Sequence, residues 1–182
     1  MIASKERNYD VVVVGSGPSG RTISLRLAKN HFSVALVESE LVGGDCAYWA
    51  CIPSKAMLRP PEALTEARQV EGSKQATQGP LSVKSALTRR DAFVDGWNDS
   101  KLANELKKSG IDIIRGQGKL DGPLHVIVTS NNGGNGTNSS NSNGSIAKSS
   151  LVANHAVVLC TGSSAVIPSQ IQGLAQARPW TS

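Results

Sequence analysis

The chain has 182 residues, enough for one ordinary domain with its own core. It is 39% hydrophobic and 18% charged with 18 glycines, a composition typical of an α/β protein and not of a disordered or fibrous one. Its 19 Lys and Arg against 14 Asp and Glu give a net charge of +5, but these residues are dispersed, which argues against a nucleic-acid partner. The longest apolar run, 11–14, is too short for a membrane span, and the N-terminus lacks a signal-peptide or transit-peptide pattern, so we predict a cytoplasmic protein.

The first forty residues predict a β-α-β unit. Residues 10–14 form an apolar, β-branched run without alternation, which indicates a buried strand of a parallel sheet. A helical pattern follows from 19 to 30, and residues 33–37 form a second apolar strand that closes on Glu38.

The turn between the first strand and the helix carries a glycine fingerprint, Gly15-Ser16-Gly17-Pro18-Ser19-Gly20. The first glycine allows a tight turn, the second lets the backbone approach a pyrophosphate, and the third lets helix and strand pack closely. Glu38 can accept hydrogen bonds from an adenosine ribose. Because strand, turn, helix and acidic residue occur in the right order, we predict a dinucleotide site. The fingerprint does not distinguish NAD from FAD, and the alternative is a glycine-rich turn that binds nothing.

The remaining pattern alternates helices and strands. We predict a helix over 52–70 that Pro60-Pro61 should break or kink, a polar link over 71–80, and a long helix over 83–109 that Gly110 ends. Strands are predicted over 111–115, 124–129 and 151–160, with a disordered hairpin loop over 130–150.

Two of the three cysteines, Cys46 and Cys51, lie close together in the segment GGDCAYWACIPSK, residues 43–55. In a cytoplasmic protein such a pair is more often catalytic or metal-binding than a structural disulfide. Half of a zinc site would need a second ligand pair, and the chain offers only three isolated histidines, so we predict no metal. We expect the third cysteine, Cys160, to be a small buried residue of an apolar strand.

The cysteine segment resembles the redox-active signature GGTCxxxxCIPSK of the class I pyridine nucleotide-disulfide oxidoreductases, the family of dihydrolipoamide dehydrogenase, glutathione reductase and mercuric reductase. The glycine fingerprint, Glu38, residues 115–118 (RGQG) and residues 159–163 (LCTGS) extend the resemblance over essentially the whole chain. It implies a Rossmann-like FAD/NAD(P)-binding domain with a parallel sheet, flanking helices and a small antiparallel β-meander. It also implies FAD as the cofactor and NAD(P)H as the electron donor.

The resemblance assigns roles to individual residues. Cys51 would be the thiol that faces the flavin, Cys46 the thiol that exchanges with substrate, and Lys55 a residue at the flavin N5 edge. Chemistry agrees, because a helix N-terminus and a nearby lysine stabilise the thiolate that an opening disulfide releases. The cofactor-binding residues expected in this way are Gly15, Ser16, Gly17, Pro18, Ser19, Gly20, Glu38, Ser39, Gly43, Gly44, Asp45, Lys55, Gly118 (through its backbone), Thr161, Gly162 and Ser163.

The chain also departs from the family pattern. Asp45 replaces the usual threonine, and Tyr48-Trp49 between the cysteines is either a stacking surface or packing, of which we favour packing. The family's NAD(P)H-binding domain and dimer-interface domain have no counterpart in 1–182, which we interpret as a single FAD-binding domain. The predicted function is electron transfer from NAD(P)H through FAD to the Cys46–Cys51 pair, and on to a small-molecule or protein disulfide. The alternative is a truncated, non-catalytic FAD-binding module; the family's members are homodimers.

Overall fold

Six strands and their connecting helices make up the computed structural model, which describes residues 6–131 and 146–179. The strands are β1 (Glu6–Val14), β2 (Val34–Glu38), β3 (Ile111–Arg115), β4 (Gln117–Leu120), β5 (His125–Asn131) and β6 (Ile146–Leu159). The helices are α1 (Pro18–Lys29), α2 (Gly44–Tyr48), α3 (Cys51–Arg68), α4 (Ser73–Ala76), α5 (Val83–Phe93) and α6 (Ser100–Lys108), with a 3-10 turn at Asp95–Trp97. None of the helices in these two ranges is long and apolar enough to cross a membrane.

The strands form one sheet in the order β3-β2-β1-β6-β5-β4. The pairs β3–β2, β2–β1 and β1–β6 are parallel, and the pairs β6–β5 and β5–β4 are antiparallel. A parallel sheet with flanking helices and an antiparallel meander is the fold class that the sequence predicts, and this prediction is confirmed.

The valine run of β1 is buried on both faces of the sheet, which explains why it does not alternate with polar residues. Val12 and Val14 belong to a cluster with residues of β5 and β6, because the antiparallel strands curl back over that face. Val11 and Val13 belong to a second cluster, on the face that α6 covers with Ala103 and Leu106. A fully buried valine stabilises the fold by roughly 1.5–3 kcal/mol, so this strand anchors the glycine turn that follows it.

The helix predicted over 83–109 is interrupted. Asp95, Gly96 and Trp97 have φ angles of +49°, +59° and +59°, a left-handed conformation that a right-handed helix cannot contain. The segment therefore divides into α5 and α6 around the 3-10 turn, although its apolar spacing is that of one helix.

Of the break or kink predicted at Pro60-Pro61, the break is absent, because α3 continues through both residues to Arg68. A proline inside a helix removes one backbone donor and costs about 3 kcal/mol. α3 packs against α5, and this tertiary contact offsets the cost. The sequence pattern registers the two prolines but not the neighbouring helix.

Three smaller differences concern element boundaries. The polar link over 71–80 contains the single-turn helix α4, and the short strand β4 was not predicted at all. β5 and β6 also reach into the tract predicted as a disordered loop, where Ser130 pairs with Ala147 and Asn131 with Ile146. The rest of that predicted loop, 132–145, lies outside the described residues.

Candidate functional site

The glycine turn closes tightly against the end of β6. Gly15 has a φ of +99°, and a Cβ atom there would lie 2.2 Å from the carbonyl oxygen of Cys160. A Cβ atom at Gly20 would lie 1.9 Å from the carbonyl oxygen of Gly15. In both cases the obstacle is backbone, which cannot swing away as a side chain can. Only glycine fits at either end of this turn.

Gly17 differs from these two glycines because the space in front of it is open. Its φ of −60° and ψ of −177° suit any residue, and a Cβ atom there would meet nothing within 4 Å. Gly17 is the N-cap of α1, and within the described residues no side chain caps this helix and no acidic residue occupies its first turn. A free helix N-terminus carries unpaired N–H groups and a partial positive charge. The turn thus leaves room for an anionic group, such as a pyrophosphate, beside backbone donors.

Glu38 holds the turn to the next loop. Its carboxylate is buried and accepts hydrogen bonds from the Ser16 N–H at 2.9 Å, the Ser16 hydroxyl at 2.6 Å and the Glu40 N–H at 2.8 Å. The Ser16 hydroxyl in turn accepts one from the Gly43 N–H at 3.1 Å. A carboxylate has about four acceptor positions, so one remains open on the Oε1 atom of Glu38. The structural role of Glu38 and Ser16 was not predicted from sequence.

A second acidic residue, Asp99, holds the loop that follows β2. Asp99 accepts hydrogen bonds from the Val42 N–H at 2.5 Å and from Arg115 at 2.6 Å, and Arg115 also donates to the carbonyl oxygen of Glu40 at 2.9 Å. Burial raises the pKa of Asp99. The hydrogen bonds from Arg115 and Val42 and the charge of Arg115 lower it by more, so the net shift of the pKa is downward. Sequence reasoning missed Asp99. Its position just before α6 indicates a helix cap, yet its partners lie far away in the chain.

The two cysteines of the motif lie on consecutive helices. Cys46 is in α2, Cys51 is the first residue of α3, and both are partly exposed free thiols. A hydrogen bond with Cys51 and burial raise the pKa of the Cys46 thiol, while the positive charges of Lys55 and Arg21 act in the opposite direction. The structure therefore brings the two thiols, called the dithiol below, within hydrogen-bonding distance of each other.

Gly44 joins the dithiol to the glycine turn. A Cβ atom at Gly44, which has a φ of +68°, would lie 2.7 Å from the Cα atom of Gly17. The beginnings of α1 and α2 consequently touch, and Cys46 follows two residues later. Three other predicted residues, Ser39, Asp45 and Lys55, are exposed.

Tyr48 and Trp49 have different environments in the structure. Tyr48 is buried, which confirms packing for that residue. Trp49 is 47% exposed and lies against Trp97, with ring centroids 6.2 Å apart. The indole N–H of Trp97 donates to the carbonyl oxygen of Tyr48 at 3.2 Å, so the 3-10 turn supports the segment between the cysteines.

The segment after β6 lies beside the turn. A Cβ atom at Gly15 would lie 3.2 Å from the Cα atom of Thr161, and residues 161–163 are exposed. Cys160 is only partly buried, packed against the core cluster that contains Val11 and Val13, so the expectation that it is buried holds in part. The reason is that β6 ends at Leu159 and the chain leaves the sheet there.

Gly118 is further from the turn. It lies on β4, where an added Cβ atom would contact the side chains of Val14 and Val37 at 3.1 and 3.2 Å. The glycine therefore lets the meander pack closely over the ends of β1 and β2.

A mostly apolar cavity of about 400 Å³ lies between α3 and α5, with Ile52, Lys55, Ala56, Leu58 and Phe93 among its lining residues. It begins on α3 within about one helical turn of Cys51. Among residues 6–131 and 146–179, no group of three or more His, Cys, Asp or Glu side chains is arranged to hold a metal ion.

Comparison with known proteins gives a consistent family. The model of the pyridine nucleotide-disulphide oxidoreductases matches residues 9–181. The dihydrolipoyl dehydrogenase of Acholeplasma laidlawii is 30% identical over 173 residues, which cover 94% of this chain and 45% of that protein. The dihydrolipoyl dehydrogenase of Bacillus subtilis is 39% identical over 120 residues, covering 63% of this chain and 24% of that protein. The chain thus spans less than half the length of these curated relatives.

Solved structures agree on the fold. RclA from Escherichia coli, an HOCl-induced flavoprotein disulfide reductase solved as a Cu(II) complex, matches with a TM-score of 0.61 and 22% identity, over 90% of this chain and 30% of that one. LpdA from Mycobacterium tuberculosis matches with a TM-score of 0.64 and 19% identity, over 89% of this chain and 33% of that one. With the family match over nearly all of its length, the chain belongs to the pyridine nucleotide-disulphide oxidoreductases, an enzyme family that uses FAD with NAD(P)H as the donor.

Proposed function

We propose that these 182 residues form the FAD-binding part of a flavin-dependent disulfide oxidoreductase similar to dihydrolipoamide dehydrogenase. The observation that carries the proposal is the contact between Gly17 and Gly44, which places a dithiol and an open helix N-terminus at one junction. A cytoplasmic location and a homodimeric assembly also stay proposals, the second by family resemblance alone.

The turn fits the proposed cofactor. Gly17 leaves open space where a pyrophosphate would lie, and Glu38 retains one acceptor position for a ribose hydroxyl. The remaining residues proposed to hold FAD are Gly15, Ser16, Pro18, Ser19, Gly20, Ser39, Gly43, Gly44, Asp45, Lys55, Gly118, Thr161, Gly162 and Ser163. When bound, FAD supplies two-electron transfer between NAD(P)H and the cysteine pair.

The chain's own chemistry is thiol–disulfide exchange by Cys46 and Cys51. The Cys46 thiolate attacks one sulfur of the acceptor disulfide, forms a mixed disulfide and releases the other sulfur as a thiolate, which takes up a proton. Cys51 then attacks Cys46, forms the Cys46–Cys51 disulfide and releases the second acceptor thiol. Two electrons pass from the dithiol to the acceptor. Cys51 is the first residue of α3, one turn before Lys55.

Cofactor binding is tested with two matched glycine substitutions. We expect the purified chain to bind FAD with near-equimolar flavin absorbance and Gly17→Val to lose it, because valine fills the open space at the helix N-terminus. Gly79→Val is the control: a Cβ atom at Gly79 also meets nothing within 4 Å, and Gly79 lies far along the chain in a polar link. Equal flavin content in Gly17→Val and Gly79→Val would refute the assignment of the turn.

The cysteine pair is tested by thiol counting. We expect one reactive thiol after mild oxidation and three after reduction, with Cys46→Ala and Cys51→Ala each abolishing the change. Cys160→Ala is the control, since it should remove one thiol from both states. An oxidation-insensitive count in the parent chain would overturn the proposed redox role.

A second candidate function is FAD binding without turnover by these residues, which contain one glycine fingerprint and no second one for a nicotinamide dinucleotide. Effective hydride transfer needs a nicotinamide held in near-attack geometry, an advantage of up to about 7–11 kcal/mol. Stopped-flow mixing of the FAD-loaded chain with NADH or NADPH separates the two functions. Slow flavin bleaching supports the second candidate, and rapid bleaching shows that these 182 residues suffice as a reductase.

A further inference from the structure

Arg21 lies at the junction between the glycine turn and the dithiol, although nothing in the glycine fingerprint requires a cation there. It follows Gly20 directly, and its N–H donates to the carbonyl oxygen of Gly17 at 3.0 Å. Gly17 touches Gly44, so Arg21, one turn further along α1, begins about one helical turn from the start of α2, the helix that contains Cys46.

The side chain of Arg21 is partly buried and lacks a full set of partners. Its Nε atom is buried and has no hydrogen-bond partner among residues 6–131 and 146–179. No ion pair of Arg21 is found within those ranges either. A buried donor on a charged group costs free energy when it is unpaired. The guanidinium therefore has an unused capacity for an anion.

The positive charge of Arg21 acts on two side chains of α2, Tyr48 and Cys46. Burial raises the pKa of Tyr48, and Arg21 is among the groups that oppose this rise. The Cys51 hydrogen bond and burial raise the pKa of Cys46, and Lys55 and Arg21 are the two cations that oppose it. The charged and titratable groups that act on Cys46 are thus Cys51 and Lys55 from α3 and Arg21 from α1, while Asp45 precedes Cys46 on α2.

We propose that Arg21 is a positioning residue of the dithiol site, whose guanidinium stabilises the thiolate form of Cys46 from the α1 side. The inference rests on the proposed role of Cys46 as the thiol that exchanges with substrate. The thiolate is the nucleophile in thiol–disulfide exchange, so a cation beside Cys46 increases the reactive fraction at neutral pH. Lys55 is exposed on α3 and keeps its proposed role beside the cofactor.

The test measures alkylation of Cys46 in the reduced 182-residue chain between about pH 7 and 11, a range placed above the ordinary thiol pKa because that of Cys46 is raised. After reaction with iodoacetamide, chymotrypsin cleaves at Tyr48 and Trp49 and so separates Cys46 from Cys51 for mass spectrometry. We expect Arg21→Met to slow alkylation of Cys46 about 2- to 5-fold at neutral pH, the size of effect typical for a partly exposed charge pair. The plateau rate at high pH should stay unchanged, because only the thiolate fraction changes.

Three comparisons separate this role from a structural one. Arg21→Lys keeps the charge and should restore most of the parent's pH profile. Arg26→Met removes an exposed cation from the same helix and should leave the profile unchanged. High salt should narrow the difference between Arg21→Met and the parent, because it screens partly exposed charges.

The proposal is overturned if Arg21→Met and the parent have superimposable profiles, or if Arg26→Met shifts the profile equally. Should Arg21→Met fail to fold by circular dichroism, Arg21→Gln provides the same comparison. The assay needs no flavin, so failure to bind FAD would refute the proposed function while leaving this result readable.

Discussion

Replacing Glu38 by glutamine separates the structural role of this residue from its charge. Glu38 is only 8% exposed, and its two carboxylate oxygen atoms accept three hydrogen bonds, two from Ser16 and one from Glu40. Glutamine has the same shape but only one acceptor oxygen, and its amide group is a donor. If the amide nitrogen takes the place of Oε2, the Ser16 N–H loses its acceptor; if it takes the place of Oε1, the Glu40 N–H loses its acceptor. Each orientation therefore leaves one backbone N–H facing another donor.

The expected cost follows from the lost acceptor. A buried donor without its acceptor costs about 1–3 kcal/mol, and the hydrogen bonds that remain lose the assistance of a charged acceptor. We therefore expect Glu38→Gln to lower the free energy of unfolding by about 2–3 kcal/mol. For a domain of this size, that corresponds to a fall of roughly 4–12 °C in Tm. FAD affinity should fall as well, because the turn that Glu38 holds is the proposed phosphate site.

Urea denaturation followed by circular dichroism measures the stability change, and flavin absorbance measures binding. Glu40→Gln is the matched control: Glu40 is exposed two residues away, and its substitution changes the net charge equally. The reasoning is refuted if the two variants have the same stability, or if Glu38→Gln differs from the parent by less than about 0.5 kcal/mol, the usual size of a surface substitution.

Two further predictions concern the loops around the site. Gly20→Ala should lower the stability to urea by about 2 kcal/mol or more in spite of alanine's better helix propensity, because its Cβ atom would lie 1.9 Å from the Gly15 carbonyl oxygen. Gly17→Ala, which points into open space, should leave the stability near the parent value, and a reversed order would contradict the geometry of the turn. Asp99→Asn should destabilise the chain most near neutral pH: the folded-state pKa of Asp99 is lowered, so its contribution exists above the unfolded pKa of about 3.9 and disappears as pH falls through the lower folded value. Thermal melts from about pH 3 to 7 measure the difference in Tm between the parent chain and Asp99→Asn, with exposed Asp121→Asn as the control. This difference should shrink in acid, and a difference that does not change with pH would contradict the reasoning.

The first strand, the glycine turn, α1, β2 and the cysteine motif could be predicted from sequence because each is encoded by neighbouring residues. A valine run buried on both faces, glycines at 15, 17 and 20, and an acidic residue at the end of the next strand require no knowledge of distant contacts. The same holds for β3, whose predicted bounds match the observed Ile111–Arg115. Local patterns were therefore sufficient for these elements and motifs, and the resemblance of the cysteine segment to a known signature indicated the family.

The arrangement of the site depended on contacts between residues that are distant in the chain. Asp99 supports the loop at Val42, Trp97 supports the segment at Tyr48, and Gly44 meets Gly17, pairs separated by 57, 49 and 27 positions, respectively. No periodicity or motif encodes such pairs, because each forms only after helices and strands have packed. The charge of Arg21 beside Cys46 has the same origin: sequence places the arginine on α1, and only packing of α1 against α2 decides that it acts on the thiol.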